Sequence, residues 1–335
     1  MMIIDAHGHV TAPPELYAYK SLLLASRGAH GRGDPGISEE RMREAARQHL
    51  DELTKVGTDV QFISPRPFQL MHSETPETIV RWWVAANNDV IARQCRAHPD
   101  SLQGVCGLPQ GPDIPLQASV EELERCVRDL GFIGCLLNPD PTEGTGNPAT
   151  LDDEYWYPLY QKMVDLDVPA LVHSAGCRGP RETYSAHFIT EESIAVLSLT
   201  RPTCRVFRDF PTLRLIISHG GGSVPYQIGR WRAGRFRQNN PETFDEALRR
   251  LYFDTVLYNQ ESLELLFRIV GTDRCLFGTE NPGTGSARDP GTGRMLDDLK
   301  PLIQAIDFLS DEDRRRIFED NARAVFPRYR VEAPV

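Results

Sequence analysis

Short apolar runs rich in β-branched residues alternate along the chain with longer stretches whose apolar positions recur every three to four residues. The first kind suits strands buried on both faces, and the second suits helices with one buried side. Eight runs read as strands: 3–9, 59–66, 102–109, 132–138, 170–174, 213–219, 251–256 and 275–280. Helical patterns fill 38–56, 77–98, 116–130, 153–166, 191–210, 224–237, 241–250 and 260–270, and 297–309 and 310–325 follow the last strand. Ser38 ahead of Glu39 and Glu40, and Ser310 ahead of Asp311 and Glu312, are N-terminal cap signatures. Alternation of this kind, repeated eight times, predicts a (β/α)8 TIM barrel spanning 1–335 as a single domain. A doubly wound open sheet is the rival, and the absence of G-x-G-x-x-G after the first strand counts against it.

Polar residues gather at one end of these strands. Strand one ends in His7 and His9, strand two in Ser64-Pro65-Arg66, and strand four in Asn138-Pro139-Asp140. Strand five ends in His173-Ser174, strand six in His219 and three glycines, and strand eight in Gly278-Thr279-Glu280. In a barrel these ends share one rim, where active sites are built. His7 and His9, two positions apart on an extended strand, point the same way. Side-by-side imidazoles add no packing, so a shared ligand explains them. His7, His9, His173 and Glu280 are the borderline nitrogen and oxygen donors that suit a zinc-like ion, with one position left for water or substrate. His219 arrives beside them as a carrier of protons, a role Glu280 can share.

Composition changes the picture in two places. With 47 acidic and 37 basic residues the net charge is −10, which argues against a nucleic-acid or anionic-membrane surface. An anionic substrate then needs local cations, and Arg66, Arg230 and Arg232 are the candidates to pair with its carboxylates. His72 in "PFQLMHSE" and His187 in "TYSAHFI" sit in loops after strand ends and join them as candidates to face substrate. His30, His49 and His98 are expected to be solvated, and Trp231 to lie in core or interface. The seven cysteines are scattered and form no C-x-x-C, so they read as reduced thiols rather than disulfides or zinc ligands. With no apolar run of membrane-spanning length and no signal-peptide pattern at the N-terminus, a cytoplasmic protein is expected. The Gly-rich segments 27–36 and 283–293 read as loops that close over a site, and 328–335 as a tail.

The motifs "DAHGHV", "LVHSAG", "ISHGGG" and "LFGTENP" resemble, in order and spacing, the metal-dependent amidohydrolase superfamily. The branch is that of the aminocarboxymuconate-semialdehyde decarboxylase-like enzymes. The resemblance implies a (β/α)8 barrel with one divalent metal, zinc or manganese. Most of that branch carries Asp on strand eight, as G-S-D, where this chain has Gly278-Thr279-Glu280. A narrower resemblance is to the 4-oxalomesaconate hydratases of bacterial aromatic-acid degradation, which also carry Glu there. It rests on "MMIIDAHGH", "SPR", "LNPDP", "WYPLYQKMV", "HGGGSVPY", "GRWR", "FDT", "DPGTGRMLDD" and "NARAVFPR".

This resemblance implies His7, His9, His173 and Glu280 as zinc ligands and His219 as an acid/base residue. It further implies a homodimer acting on a small polycarboxylate, with neither nucleic acid nor membrane as partner. The implied reaction adds water to a conjugated double bond and gives a tertiary alcohol such as 4-carboxy-4-hydroxy-2-oxoadipate. The stretch "HSAGCRGPRETYSAHF" is unlike the family in length and content, so a related carboxylated substrate is the alternative. Nonoxidative decarboxylation, lactone or amide hydrolysis, and a non-catalytic binding barrel are the competing readings.

Overall fold

The computed structural model describes residues 1–31, 33, 35–178 and 184–330. Its strands are β1 (Ile4–His9), β2 (Val60–Ser64), β3 (Leu102–Cys106), β4 (Gly134–Leu137), β5 (Ala170–Val172), β6 (Leu215–Ile217), β7 (Tyr252–Asp254) and β8 (Cys275–Leu276). They form one eight-stranded sheet in sequence order, each strand parallel to the next. Backbone bonds from Ala6 N to Phe277 O (2.8 Å) and from Glu280 N to His7 O (2.7 Å) join β1 to the chain leaving β8. The barrel is therefore closed, and the two segments that carry most candidate ligands lie side by side.

The early helices are α1 (Pro14–Ala25), α2 (Glu39–Val56), α3 (Glu77–Ala97), α4 (Leu116–Arg128), α5 (Tyr157–Leu166) and α6 (Tyr184–Leu199). They are followed by α7 (Val206–Asp209), α8 (Ile228–Arg237), α9 (Phe244–Leu248), α10 (Gln260–Val270), α11 (Lys300–Gln304), α12 (Asp311–Arg315) and α13 (Asn321–Val325). Both expected caps form: Ser38 accepts from Arg41 N, and Ser310 exchanges bonds with Asp313 as a capping box. Alternate strand residues divide between two apolar clusters. Ile3, Ile63, Cys106, Leu137, Val172 and Ile217 pack outward with helix residues such as Leu16, Trp83, Leu123 and Leu159. Ile4, Phe62, Val105, Leu136, Leu171 and Ile216 pack with Phe326 and Tyr329 in the other cluster.

Three departures from the expected elements matter. Helix α1 has no expected counterpart; Pro14 starts it, where a missing N–H costs nothing, and Leu16, Tyr19 and Leu23 bury one face. Helix α6 begins at Tyr184, not at 191, which brings His187, Phe188 and Glu192 onto one ordered element. The expected tail instead packs inward as far as Tyr329, whose ring meets Phe62 at 5.1 Å, while 331–335 lie outside the described residues. All seven cysteines are free thiols. No described helix is long and apolar enough to cross a membrane.

Candidate metal centre

The site is built on Asp5. Its carboxylate accepts from His7 N (3.1 Å), Thr279 N (3.1 Å), Thr279 Oγ1 (2.6 Å) and Gln61 Nε2 (2.8 Å), tying β1, β2 and the end of β8 together beneath the histidines. Burial pushes the Asp5 carboxyl up to about 6 against the bonds from Thr279 and Gln61. Gly8 separates the two histidines for a steric reason: a Cβ there would meet Gln61 Cδ at 2.2 Å and push it off Asp5. Gly278 serves the same end, since a Cβ would lie 2.9 Å from that of His7. Gln61 also accepts from His49 Nε2 at 2.7 Å, so His49 is a buried support and not the solvated residue expected.

Four imidazoles meet above this base. Ring centroids of His7 and His9 are 5.2 Å apart, of His7 and His173 5.0 Å, and of His173 and His219 4.9 Å. Each ring has its Nδ1 engaged. His7 Nδ1 lies 2.6 Å from Asp254, His9 Nδ1 3.0 Å from Ser64 Oγ, His173 Nδ1 2.6 Å from Ser174 O, and His219 Nδ1 2.8 Å from Glu192. Asp254 and the Ser174 carbonyl can only accept, so His7 and His173 keep their protons on Nδ1 and present a bare Nε2.

These residues fit a divalent cation. The Nε2 atoms of His7 and His173 are buried and have no hydrogen-bond partner, a costly state unless something else is bonded to them. Ligand atoms of His7, His9 and His173 lie within 4.8 Å of one another, as do those of His173, His219 and Glu280. Burial and the neighbouring imidazoles hold His9 and His173 well below the usual histidine range, so both are neutral and able to ligate.

Glu280 closes the cluster. Its Oε1 is 3.4 Å from His219 Nε2 and 3.9 Å from His173 Nε2, while Tyr258 Oη and Thr284 N donate to Oε2. Burial raises the Glu280 carboxyl, but the hydrogen bond from His219 and the charge on that imidazole outweigh it and hold it far below the carboxylate range. Burial likewise opposes charge on His219; Glu192 and Glu280 overcome it and raise the imidazole well above its ordinary value. His219 (φ 51°), Tyr258 (φ 54°) and Glu280 (φ 62°) are all non-glycine residues in the left-handed region. Such backbone strain, gathered around one hydrogen-bonded set, is the mark of a functional site.

A cavity of about 370 Å³ opens onto His9, His173 and Glu280, with Arg66, Phe68, Phe188, Gly283 and Thr284 on its walls. Arg66 therefore stands where it was expected, and its Nε is buried without a hydrogen-bond partner. The loop after β8 reaches this cavity, whereas segment 27–36 does not line it in its described part; Gly31 lies against Leu23 of α1.

Four expected substrate contacts do not reach the cavity wall. His72 is a strut: Asn138 Nδ2 donates to its Nδ1 at 2.8 Å and to Asp140 O at 3.0 Å, and fixes the loop after β4. His187 Nε2 lies 3.6 Å from Asp140 Oδ2, with Glu191 close by. Arg232 pairs with Asp245 through Nε (2.9 Å) and Nη2 (2.5 Å). Arg230 is exposed on α8 beside a separate groove of about 710 Å³. The chain turns away from the rim after Gly222, so α8 carries both arginines off the site. Sequence reasoning had also passed over Asp254, Glu192 and Tyr258. An aspartate in the apolar strand "LYFDTV" was the one signal available for the first of these.

The sequence profile of the amidohydrolase family matches residues 4–328. A 2-keto-4-carboxy-3-hexenedioate hydratase from Sphingobium sp. (strain NBRC 103272 / SYK-6) is 40% identical, over 98% of this chain and 97% of its own. Among solved structures, 4-oxalomesaconate hydratase from Rhodopseudomonas palustris superposes with a TM-score of 0.88 at 33% identity, covering 98% of this chain and 96% of that one. A dihydroxybenzoic acid decarboxylase from Polaromonas sp. JS666, solved with bound manganese, shares the fold with a TM-score of 0.71 at 19% identity, over 98% of each chain.

Proposed function

The chain belongs to the amidohydrolase family, and from that premise we propose that it is a metal-dependent hydratase of 4-oxalomesaconate or a close polycarboxylate. The product would be 4-carboxy-4-hydroxy-2-oxoadipate. Full-length likeness to two hydratases supports the reaction class. The observation that carries the reading is the His219–Glu280 pair, 3.4 Å apart at the edge of the three-imidazole cluster. It sets a proton carrier directly beside the ligand set.

His7, His9, His173 and Glu280 would hold the ion. Three imidazoles and one carboxylate favour zinc over manganese, which prefers oxygen donors. When bound, the ion supplies Lewis acidity to a water or a substrate oxygen. Arg66 pairs with a substrate carboxylate and fixes which face of the double bond meets the cluster. Phe188 and Phe68 exclude water from the apolar part of the cavity. In the conjugated isomer, a 2-keto-4-carboxy-3-hexenedioate, O–H adds to the carboxyl-bearing carbon β to the ketone, and the electron pair of the double bond moves toward the ketone oxygen. A proton then goes to the α carbon. His219 Nε2 and Glu280 Oε1 are the groups placed to remove and return that proton.

The test is mass spectrometry of zinc-loaded protein with 4-oxalomesaconate and, separately, with dihydroxybenzoate. Gain of one water on the first supports the reading. Loss of carbon dioxide from the second, with the first untouched, overturns it in favour of a decarboxylase.

A further inference from the structure

We propose that Glu192 is a positioning residue for the hydration: from α6 it holds a proton on His219 Nδ1 and thereby turns Nε2 toward Glu280 and the reacting carbon. The inference rests on the hydratase reading and adds to it a residue that touches neither ion nor substrate.

The geometry is specific. Glu192 is fully buried and lies 27 residues upstream of His219. Its Oε2 is 2.8 Å from His219 Nδ1, and its Oε1 accepts from Ser174 N at 3.4 Å. A buried carboxylate is costly, and the same helix buries Ala195, Val196 and Leu199, so an apolar residue would pack there with less penalty. Helical spacing explains why this element supplies it. Phe188 and Glu192 are four residues apart and share a face of α6. Phe188 stacks on the His219 ring (6.0 Å between centroids, 18° between planes), while Glu192 holds its edge. One helical turn thus fixes both the plane and the rotation of the imidazole.

A second imidazole shows what the device does. Asp254 holds His7 Nδ1 at 2.6 Å in the same manner, and His7 Nε2 is left free for a ligand. At His219 the equivalent nitrogen faces Glu280 at 3.4 Å. The carboxylate on Nδ1 is shared by the two sites, and what lies beyond Nε2 differs.

Glu192→Gln tests this. Ser174 N would hold the new amide oxygen and leave the amide N–H₂ facing His219 Nδ1, which must then accept and keeps no proton, so only Nε2 carries one. In a catalytic triad the same carboxylate-to-amide change lowers kcat by about 10⁴-fold through the wrong tautomer. For zinc-loaded Glu192→Gln we expect kcat to fall by about 10²-fold or more, with KM and zinc content at wild-type values. Thermal stability should fall whichever role Glu192 has, because one partner of a buried pair has been neutralised, so kcat and the ring proton are the deciding readouts. A purely structural role predicts that kcat is retained in the folded variant.

Proton NMR of the ¹⁵N-histidine-labelled, zinc-loaded wild type needs no substrate. Beside the carbonyl-bound Nδ1–H of His173, two further-downfield Nδ1–H resonances should appear from the carboxylate-bound rings of His7 and His219, and Glu192→Gln should remove the second. A wild-type spectrum without the second resonance overturns the proposal, as does a variant with unchanged kcat. If the wild type hydrates nothing but keeps both resonances, the hydratase reading fails while the Glu192–His219 geometry stands.

Discussion

His173 and His72 stand in comparable places and do opposite things. Each lies in the loop after a barrel strand, and each is 1% exposed. They differ in which nitrogen keeps the proton. His173 Nδ1 donates to the Ser174 carbonyl, so Nε2 offers a lone pair next to His7 and Glu280. His72 Nδ1 accepts from the Asn138 amide, whose orientation is fixed by Asp140 N donating to its Oδ1 at 3.0 Å. The proton of His72 therefore sits on Nε2, and the ring has no lone pair to give. Burial is the same, though His173 directly follows β5 and His72 lies eight residues beyond β2; the partner on Nδ1 decides which ring keeps a lone pair for an ion.

The largest effect should come from removing a free lone pair. His173→Ala is expected to take both the bound divalent ion and turnover to background, while His72→Gln keeps the ion; elemental analysis of the two purified variants makes the comparison. Asp254→Asn leaves every ligand in place but loosens His7, and should weaken metal affinity by about 10–100-fold in a chelator competition. Arg66→Ala removes a charge-assisted bond of about 1.5–3 kcal/mol, so KM for the polycarboxylate should rise by about 10–100-fold with metal content unchanged. An unaltered KM would place Arg66 away from substrate.

The His72 side of the comparison has a pH signature. Burial lowers its pKa from 6.5 to about 4, against the opposing pull of Glu143, the Leu108 backbone and Asp140. Between those values the unfolded chain binds the extra proton and the folded one does not. The contribution is thus complete above pH 6.5 and is lost as pH falls toward 4, by about 3 kcal/mol. Denaturant titrations across that window should show a shallower loss in His72→Gln. The smallest effect is expected at Arg232, whose half-exposed pair with Asp245 contributes below about 1 kcal/mol. Arg232→Ala should leave KM unchanged.

How legible this was in the sequence follows from what each feature depends on. Strand–helix alternation is local, and all eight strands appear within a few residues of their expected positions. The ligand candidates were legible too, because a histidine at the end of an apolar strand is unusual whatever it touches. Which residues support them was not. Glu192 reads as an ordinary first-turn acid if α6 is begun at 191, and only the true start at Tyr184 sets it one turn beyond Phe188. Arg230 and Arg232 lie close in sequence to His219, yet the turn at 220–222 and the start of α8 carry them off the rim. Sequence distance misled there because direction after a glycine turn is a tertiary property.

We propose that His7, His9, His173 and Glu280 together hold one divalent ion. The most direct measurement is the metal content of the wild type beside His173→Ala, both purified, zinc-loaded and dialysed, with folding verified by circular dichroism. One equivalent of zinc per chain in the wild type and none in the variant is the predicted result. A folded variant that keeps the full equivalent would mean that the ion is held without His173.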